Sequence, residues 1–164
     1  FIDVYSEVGR GSAFNVYLPA LPAGRERREE AAPETVPAGA GELVLVVDDE
    51  PSILEITRET LEENGYRVLT ARDGRAALAA YERHRAEVRA VLTDMSMPGM
   101  DGPALIRALL ALDPGLRIIA CSGLRSGPGA QQTKELKVKD FLTKPYTATT
   151  LLGMLQKVLA RPPV

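Results

Sequence analysis

Five times between Glu42 and Arg161, an apolar run of strand length is followed by room for a helix, and the runs end in acids, a hydroxyl or an ammonium. That alternation argues for βαβ units and a parallel sheet. The first run, Leu43-Val44-Leu45-Val46-Val47, has no polar member, as expected of a strand covered on both faces. It ends at Asp48-Asp49-Glu50. Pro51 suits a first helical position, Ile53, Thr57, Leu61 and Asn64 recur at helical spacing, and Asn64-Gly65 supplies the stop. A second strand is expected over 66–70 and a second helix over about 74–84. The third strand covers 88–93 and closes on Asp94. A Pro- and Gly-bearing loop, 95–101, then leads to a helix with Leu105, Leu109 and Leu112 on one face, stopped by Asp113-Pro114-Gly115.

The fourth strand is expected over 116–121. The Gly- and Pro-bearing stretch 122–132 predicts a short, weak fourth helix. The fifth strand covers 138–143 and is followed by Lys144. Thr147 is the expected N-cap of a last helix that turns Leu151, Leu155 and Val158 or Leu159 inward. His84, among Glu82, Arg83 and Arg85, belongs to a polar helix face.

Composition narrows the function classes. Twenty Lys and Arg stand against 22 Asp and Glu, so the net charge of −2 gives no global field for nucleic acid or an anionic membrane. Cys121 is the only cysteine, which excludes an internal disulfide and a multi-Cys zinc site; it reads as a small buried strand residue in a reducing, cytoplasmic setting. No run approaches the ~20 apolar residues that span a bilayer, and the N-terminus lacks the regions of a signal peptide. The chain opens without Met inside a strand-like segment, as a piece of a longer protein would.

In an open parallel sheet, ligands sit beyond the carboxyl ends of the strands, where strand order reverses. Here those ends carry Asp48, Asp49, Asp94, Ser122 and Lys144. Three converging carboxylates repel one another unless a hard divalent cation with oxygen ligands neutralises them, and Mg²⁺ is the natural candidate. A carboxylate near such a metal, with a hydroxyl and an ammonium beside it, can attack phosphorus to give an acyl phosphate.

The segments Val46-Val47-Asp48-Asp49-Glu50, Asp94-Met95-Ser96-Met97-Pro98-Gly99-Met100-Asp101-Gly102, Cys121-Ser122-Gly123 and Phe141-Leu142-Thr143-Lys144-Pro145 resemble the bacterial receiver family, over about 120 residues. The resemblance implies a flavodoxin-like (βα)₅ doubly wound sheet of strand order 2-1-3-4-5 across residues 42–161. It implies phosphorylation of Asp94, direct Mg²⁺ binding by Asp49, binding by Asp48 mostly through water, and a third ligand in the backbone carbonyl of Ser96. Lys144 would pair with the carboxylate or phosphate, and its bond to Pro145 would be cis. Ser122 would bond a phosphate oxygen, and Phe141 would turn into the space left behind. Phe141 stands where the family often has Tyr, Ser122 where it often has Thr, and Lys137 where it usually has Gly.

Residues 1–18 alternate as a β-hairpin around Gly9-Arg10-Gly11, and residues 20–41, with Pro22, Pro33, Pro37 and the block Arg25-Glu26-Arg27-Arg28-Glu29-Glu30, read as a linker. Ser6-Glu7-Val8-Gly9-Arg10-Gly11-Ser12-Ala13-Phe14 resembles the last hairpin of the histidine kinase ATP-binding domain, so residues 1–19 would be its end and the parent a hybrid histidine kinase. The ATP motifs and the phosphorylated His of such a kinase do not occur in these residues. The phosphoryl donor would then be a phosphohistidine domain, in cis or in trans. The receiver would pass the phosphate to a histidine phosphotransfer protein, or regulate the attached kinase without relay.

Other readings compete. Asp48 and Asp49 alone would suit a helix N-terminus; Phe141 alone would suit a core. A haloacid dehalogenase type phosphatase would need D-x-D at one strand end, where this chain has Asp94-Met95-Ser96. A non-phosphorylated receiver-like module would usually lack an acid or the Lys. Ser96 and Leu124 flank the site where some relatives place side chains that orient an attacking water, which predicts a long-lived phosphate.

Overall fold

The computed structural model describes residues 2–18, 38–123 and 138–161. The chain divides into two units, Phe1–Thr35 and Val36–Val164. In the first, β1 (Ile2–Glu7) and β2 (Gly11–Val16) pair antiparallel, with Ile2 opposite Val16 and Val4 opposite Phe14. Cross-strand partners share a face, so Ile2, Val4, Phe14 and Val16 form one apolar side and Asp3, Tyr5, Glu7 and Asn15 the other. All twelve strand residues are exposed.

The second unit runs β3 (Leu43–Val47), α1 (Pro51–Glu63), β4 (Arg67–Ala71), α2 (Gly74–His84), β5 (Val88–Asp94), α3 (Gly102–Leu112), β6 (Ile118–Ser122), β7 (Asp140–Thr143) and α4 (Ala148–Leu159). Its five strands are all parallel and lie in the order β4-β3-β5-β6-β7, which is 2-1-3-4-5 within the unit. The expected doubly wound sheet is therefore present.

Period-two alternation sends neighbouring strand residues to opposite faces, which explains why the strand-length runs are uniformly apolar. Leu43, Leu45 and Val47 face a layer with Ala77 and Tyr81 of α2 and Leu105, Ile106 and Leu109 of α3. Val44 and Val46 face Leu54 and Leu61 of α1 and Leu151, Leu155 and Val158 of α4. Leu45, Leu61, Leu105 and Leu109 have no exposed surface, and each such side chain contributes roughly 1.5–3 kcal/mol on burial.

Helix ends follow local chemistry. Asp73, Asp101 and Thr147 cap α2, α3 and α4 by accepting from the amides of Ala76, Ala104 and Thr150. Past α1, Gly65 takes φ +84°, a left-handed conformation that glycine adopts without a Cβ penalty.

Several boundaries differ from expectation. Leu54 rather than Ile53 is the buried residue in the first turn of α1, because α1 lies on the sheet through the stripe Leu54, Thr57 and Leu61. Asn64 is not a core position; its side-chain amide donates to the Thr60 carbonyl at 2.8 Å and closes the helix end. The strand after α3 starts at Ile118, not at 116, because Leu116 N donates to Asp113 O in the intervening turn. The segment 39–41, expected in the linker, is bonded to the α1–β4 turn: Gly39 N reaches Asn64 O at 2.8 Å and Gly41 N reaches Gly65 O at 3.0 Å. The expected fourth helix, Leu124 and the turn at Lys137 fall outside the described residues. Among the described residues, no helix is long and apolar enough to cross a membrane.

Candidate functional site

Because the strands are parallel, one edge of the sheet collects all five carboxyl ends. At the end of β3 the chain turns through Asp48-Asp49-Glu50, and Asp48 is fixed twice: its N–H donates to Ala71 O at 3.2 Å and its Oδ1 accepts from Glu50 N at 3.0 Å. Pro51 then opens α1 with no amide to satisfy. Asp94 is the last residue of β5, and the next amide, Met95 N, donates to Cys121 O on β6 at 3.0 Å. Lys144 follows β7, with its N–H on Ser122 O at 2.9 Å and a cis bond to Pro145. Backbone bonds between neighbouring strands thus hold the strand ends in one register.

The side chains converge. Lys144 Nζ lies 2.6 Å from Asp48 Oδ2 and 3.2 Å from Asp94 Oδ1. Asp48, Asp49 and Asp94 each place a carboxylate oxygen within 4.8 Å of the others, with Asp48 and Asp94 buried and Asp49 exposed. Burial by itself lowers the Lys144 pKa, but hydrogen bonds and charge attraction from Asp48 and Asp94 outweigh it, so the ammonium is held above its ordinary range. Among the described residues, one cation therefore faces three carboxylates and contacts two of them, Asp48 and Asp94. The donors are all hard carboxylate oxygens, which fits Mg²⁺ and not a soft metal.

Of the other expected residues, Ser122 is half-buried at the end of β6 and Ser96 is exposed between the buried Met95 and Met97. Phe141 is 38% exposed and is not a core residue: on β7 it alternates with the buried Asp140 and Leu142. Cys121 is buried, and burial first of all pushes its thiol up to about 12. His84 sits near Glu87 on the exposed end of α2.

Sequence reasoning missed Tyr146. Its ring packs against the cluster that contains Cys121 and Leu54, and burial raises its hydroxyl to about 12, with a lesser push from Cys121 and an opposing hydrogen bond with Thr57. With Ile53, Ile56, Thr57, Lys144 and Pro145 it lines a groove of about 380 Å³ beside the carboxylates. An aromatic directly after Lys144-Pro145 was the available signal.

A doubly wound sheet with three acids and one Lys at its carboxyl edge defines a phosphoacceptor switch domain. Residues 44–156 match the response regulator receiver domain family, and the chain belongs to it. The chain is 34% identical over 171 residues to sensor kinase CckA of Brucella abortus, covering 96% of this chain and 18% of that protein. It thus spans about a fifth of the curated relatives it matches first, with 23% for the transcriptional regulatory protein DctD of Rhizobium meliloti. Among solved structures, the receiver domain of sensor histidine kinase PA1611 from Pseudomonas aeruginosa PAO1 superposes with a TM-score of 0.69 at 28% identity, over 74% of this chain and 100% of that one. That relative carries a magnesium ion in its active-site cleft. Receiver domains act as phosphoacceptors in two-component phosphorelays, bind Mg²⁺ and interact with histidine kinases or phosphotransfer partners.

Proposed function

We propose that Asp94 accepts a phosphoryl group from a phosphohistidine in the cytoplasm, and that the receiver is joined by the linker that starts at residue 20 to the ATP-binding domain of a hybrid histidine kinase. The observation that carries the first half is the shared cation: Lys144 Nζ bridges Asp48 and Asp94 while Asp49 stands within ligand distance of both. An excess of buried negative charge at a strand edge is costly unless a further cation joins it. The second half is supported by the CckA alignment, whose 96% of the chain is more than the second unit alone can supply and so includes the hairpin.

In this reading Asp48, Asp49, Asp94 and the Ser96 carbonyl would hold Mg²⁺, which would supply positive charge for the phosphoryl oxygens. Asp94 Oδ forms the new P–O bond as the P–N bond to the donor imidazole breaks, and the imidazole leaves with the bonding electrons. Lys144 keeps the Asp94 carboxylate oriented before transfer and pairs with a phosphoryl oxygen afterwards. Ser122 donates its hydroxyl to another. The groove of Ile53, Ile56, Thr57, Pro145 and Tyr146 lies beside Lys144 and is apolar, with Ile56 62% exposed, so it suits the helix that carries the donor histidine. The complete set of acids and Lys argues against a module that is never phosphorylated.

Incubation with acetyl phosphate and Mg²⁺ followed by intact mass tests the assignment. One added phosphoryl group is expected on the wild type and none on Asp94→Asn. An adduct that survives the substitution would place the acceptor elsewhere.

A further inference from the structure

The loop from Met95 to Asp101 carries Ser96 and leads from β5 into α3, and two glycines from outside the loop fix its course. Gly102 is the first residue of α3, and its N–H donates to Met95 O at 3.3 Å. A Cβ there would lie 2.4 Å from Asp94 O, 2.7 Å from Met95 Cα and 3.2 Å from the Asp94 carbonyl carbon. All three are main-chain atoms of the phosphoacceptor and its neighbour, so no rotamer change relieves the overlap. Gly74 is the first residue of α2, on the other flank. A Cβ on it would lie 2.6 Å from Met100 Cγ, 2.7 Å from Met100 O and 2.9 Å from Met100 Cβ. The loop is also pinned from within, since Met95 and Met97 are buried and Ser96 stands exposed between them.

From this geometry we infer that Gly74 and Gly102 are positioning residues for the metal site: by admitting the backbone of Asp94 and of Met100 to van der Waals contact, they set the depth at which Ser96 and Asp94 face Asp48 and Asp49. The inference rests on the reading of those residues as Mg²⁺ ligands. Neither glycine touches the ion. A methyl group at Gly102 pushes directly on the residue that bears the acceptor carboxylate, and one at Gly74 pushes on the far end of the loop through Met100. The expected order of effect is therefore Gly102→Ala above Gly74→Ala.

A merely structural role would lower stability and leave ion affinity alone, so a third glycine serves as the control. Gly65 has φ +84° and a Cβ there would lie 2.6 Å from Gly39 O, so Gly65→Ala is also strained, but it lies between α1 and β4, at the edge remote from the carboxylates. Calorimetric titration of the 164-residue chain with MgCl₂ would be run on the wild type and the three variants, with thermal midpoints measured in parallel. Gly102→Ala is expected to weaken Mg²⁺ binding by about tenfold or more, as loss of a supporting contact typically does. Gly74→Ala should weaken it less, and Gly65→Ala should lower the midpoint with wild-type affinity. Wild-type affinity in both Gly102→Ala and Gly74→Ala overturns the inference, as does an equal loss in Gly65→Ala. If Gly102→Ala does not fold, Gly74→Ala decides alone, because a Cβ there meets only Met100, through its main-chain oxygen and the root of its side chain, and leaves the Asp94 backbone untouched. A wild type that takes up no Mg²⁺ overturns the metal reading itself, and this inference with it.

Discussion

Both edges of the five-stranded sheet bury an acid against a cation, but in different proportions. At the amino edge, the Asp140 side chain is 7% exposed and both its oxygens are taken by Arg161, at 2.5 and 2.8 Å. One acid meets one guanidinium in a two-point contact, the geometry that best offsets desolvation. Arg117 adds a bond to the Arg161 carbonyl at 2.7 Å, which ties the end of α4 to the start of β6. At the carboxyl edge, Asp48 and Asp94 are 6% and 10% exposed and share Lys144, and Asp49 stands beside them. Charge that is balanced within the chain holds structure. Charge left over within the chain waits for a ligand.

Substitution of Lys144 should break that contrast most sharply. Lys144→Met leaves the three carboxylates with no paired cation among the described residues, and removal of one electrostatic partner from a phosphoryl-transfer site costs about 10²-fold or more in rate. The rate of acetyl phosphate labelling, followed by intact mass, checks this. The same variant loses stability in the absence of Mg²⁺, by about 1–3 kcal/mol for a buried acceptor left without its donor. Thermal melts should show the deficit shrinking when Mg²⁺ is added, because the ion binds only the folded edge. A deficit that Mg²⁺ does not change would mean that the carboxyl edge is as self-sufficient as the amino edge.

Arg161→Gln makes the opposite demand. It strands the buried Asp140 without a cation, so the thermal midpoint should fall. No externally supplied ion is expected to restore it, since one carboxylate is too few ligands to hold Mg²⁺. The labelling rate of the folded variant should equal that of the wild type. A slowed rate in a variant that remains folded would show that the two edges communicate, and the division between a structural and a functional edge would fail.

The carboxyl edge was legible in the sequence because its residues fall in contiguous motifs at the ends of apolar runs: Asp48-Asp49 after Val47, Asp94 after Thr93, Ser122 after Cys121, Lys144 after Thr143. Strand order followed from the family resemblance. The amino edge was not legible. Asp140 and Arg161 are 21 residues apart, and Arg117 meets Arg161 across 44, so nothing short of the packed α4 brings them together. The same applies to Gly74 against Met100. Local signals did set the caps at Thr147 and Gly65, where a side chain or a backbone angle acts on its own neighbours. They misjudged Ile53 against Leu54, because the rotation of a helix on a sheet is decided by what it packs on. They also placed residues 39–41 in the linker, since a Gly-rich stretch gives no sign that its amides are bound to the α1–β4 turn.

The smallest expected effect concerns Cys121, which lies on β6 one residue before Ser122 and within reach of both Lys144 and the carboxylates. Burial raises its thiol to about 12 from an ordinary 9.0, Asp94 and Asp48 add to the rise, and Lys144 opposes it. The sign follows: folding favours the protonated thiol, so this contribution to stability is complete below pH 9.0 and is lost as the pH climbs towards about 12. At neutral pH there is almost no thiolate, and thiolate is the reactive form. Iodoacetamide should therefore leave the folded chain unlabelled by mass over a period in which the urea-unfolded chain reacts fully. Protection would mean that the apolar layer beneath the carboxylates stays closed in the resting protein. Ready labelling would mean that the end of β6 opens in the resting protein, and that the excess negative charge is relieved by solvent as well as by Lys144.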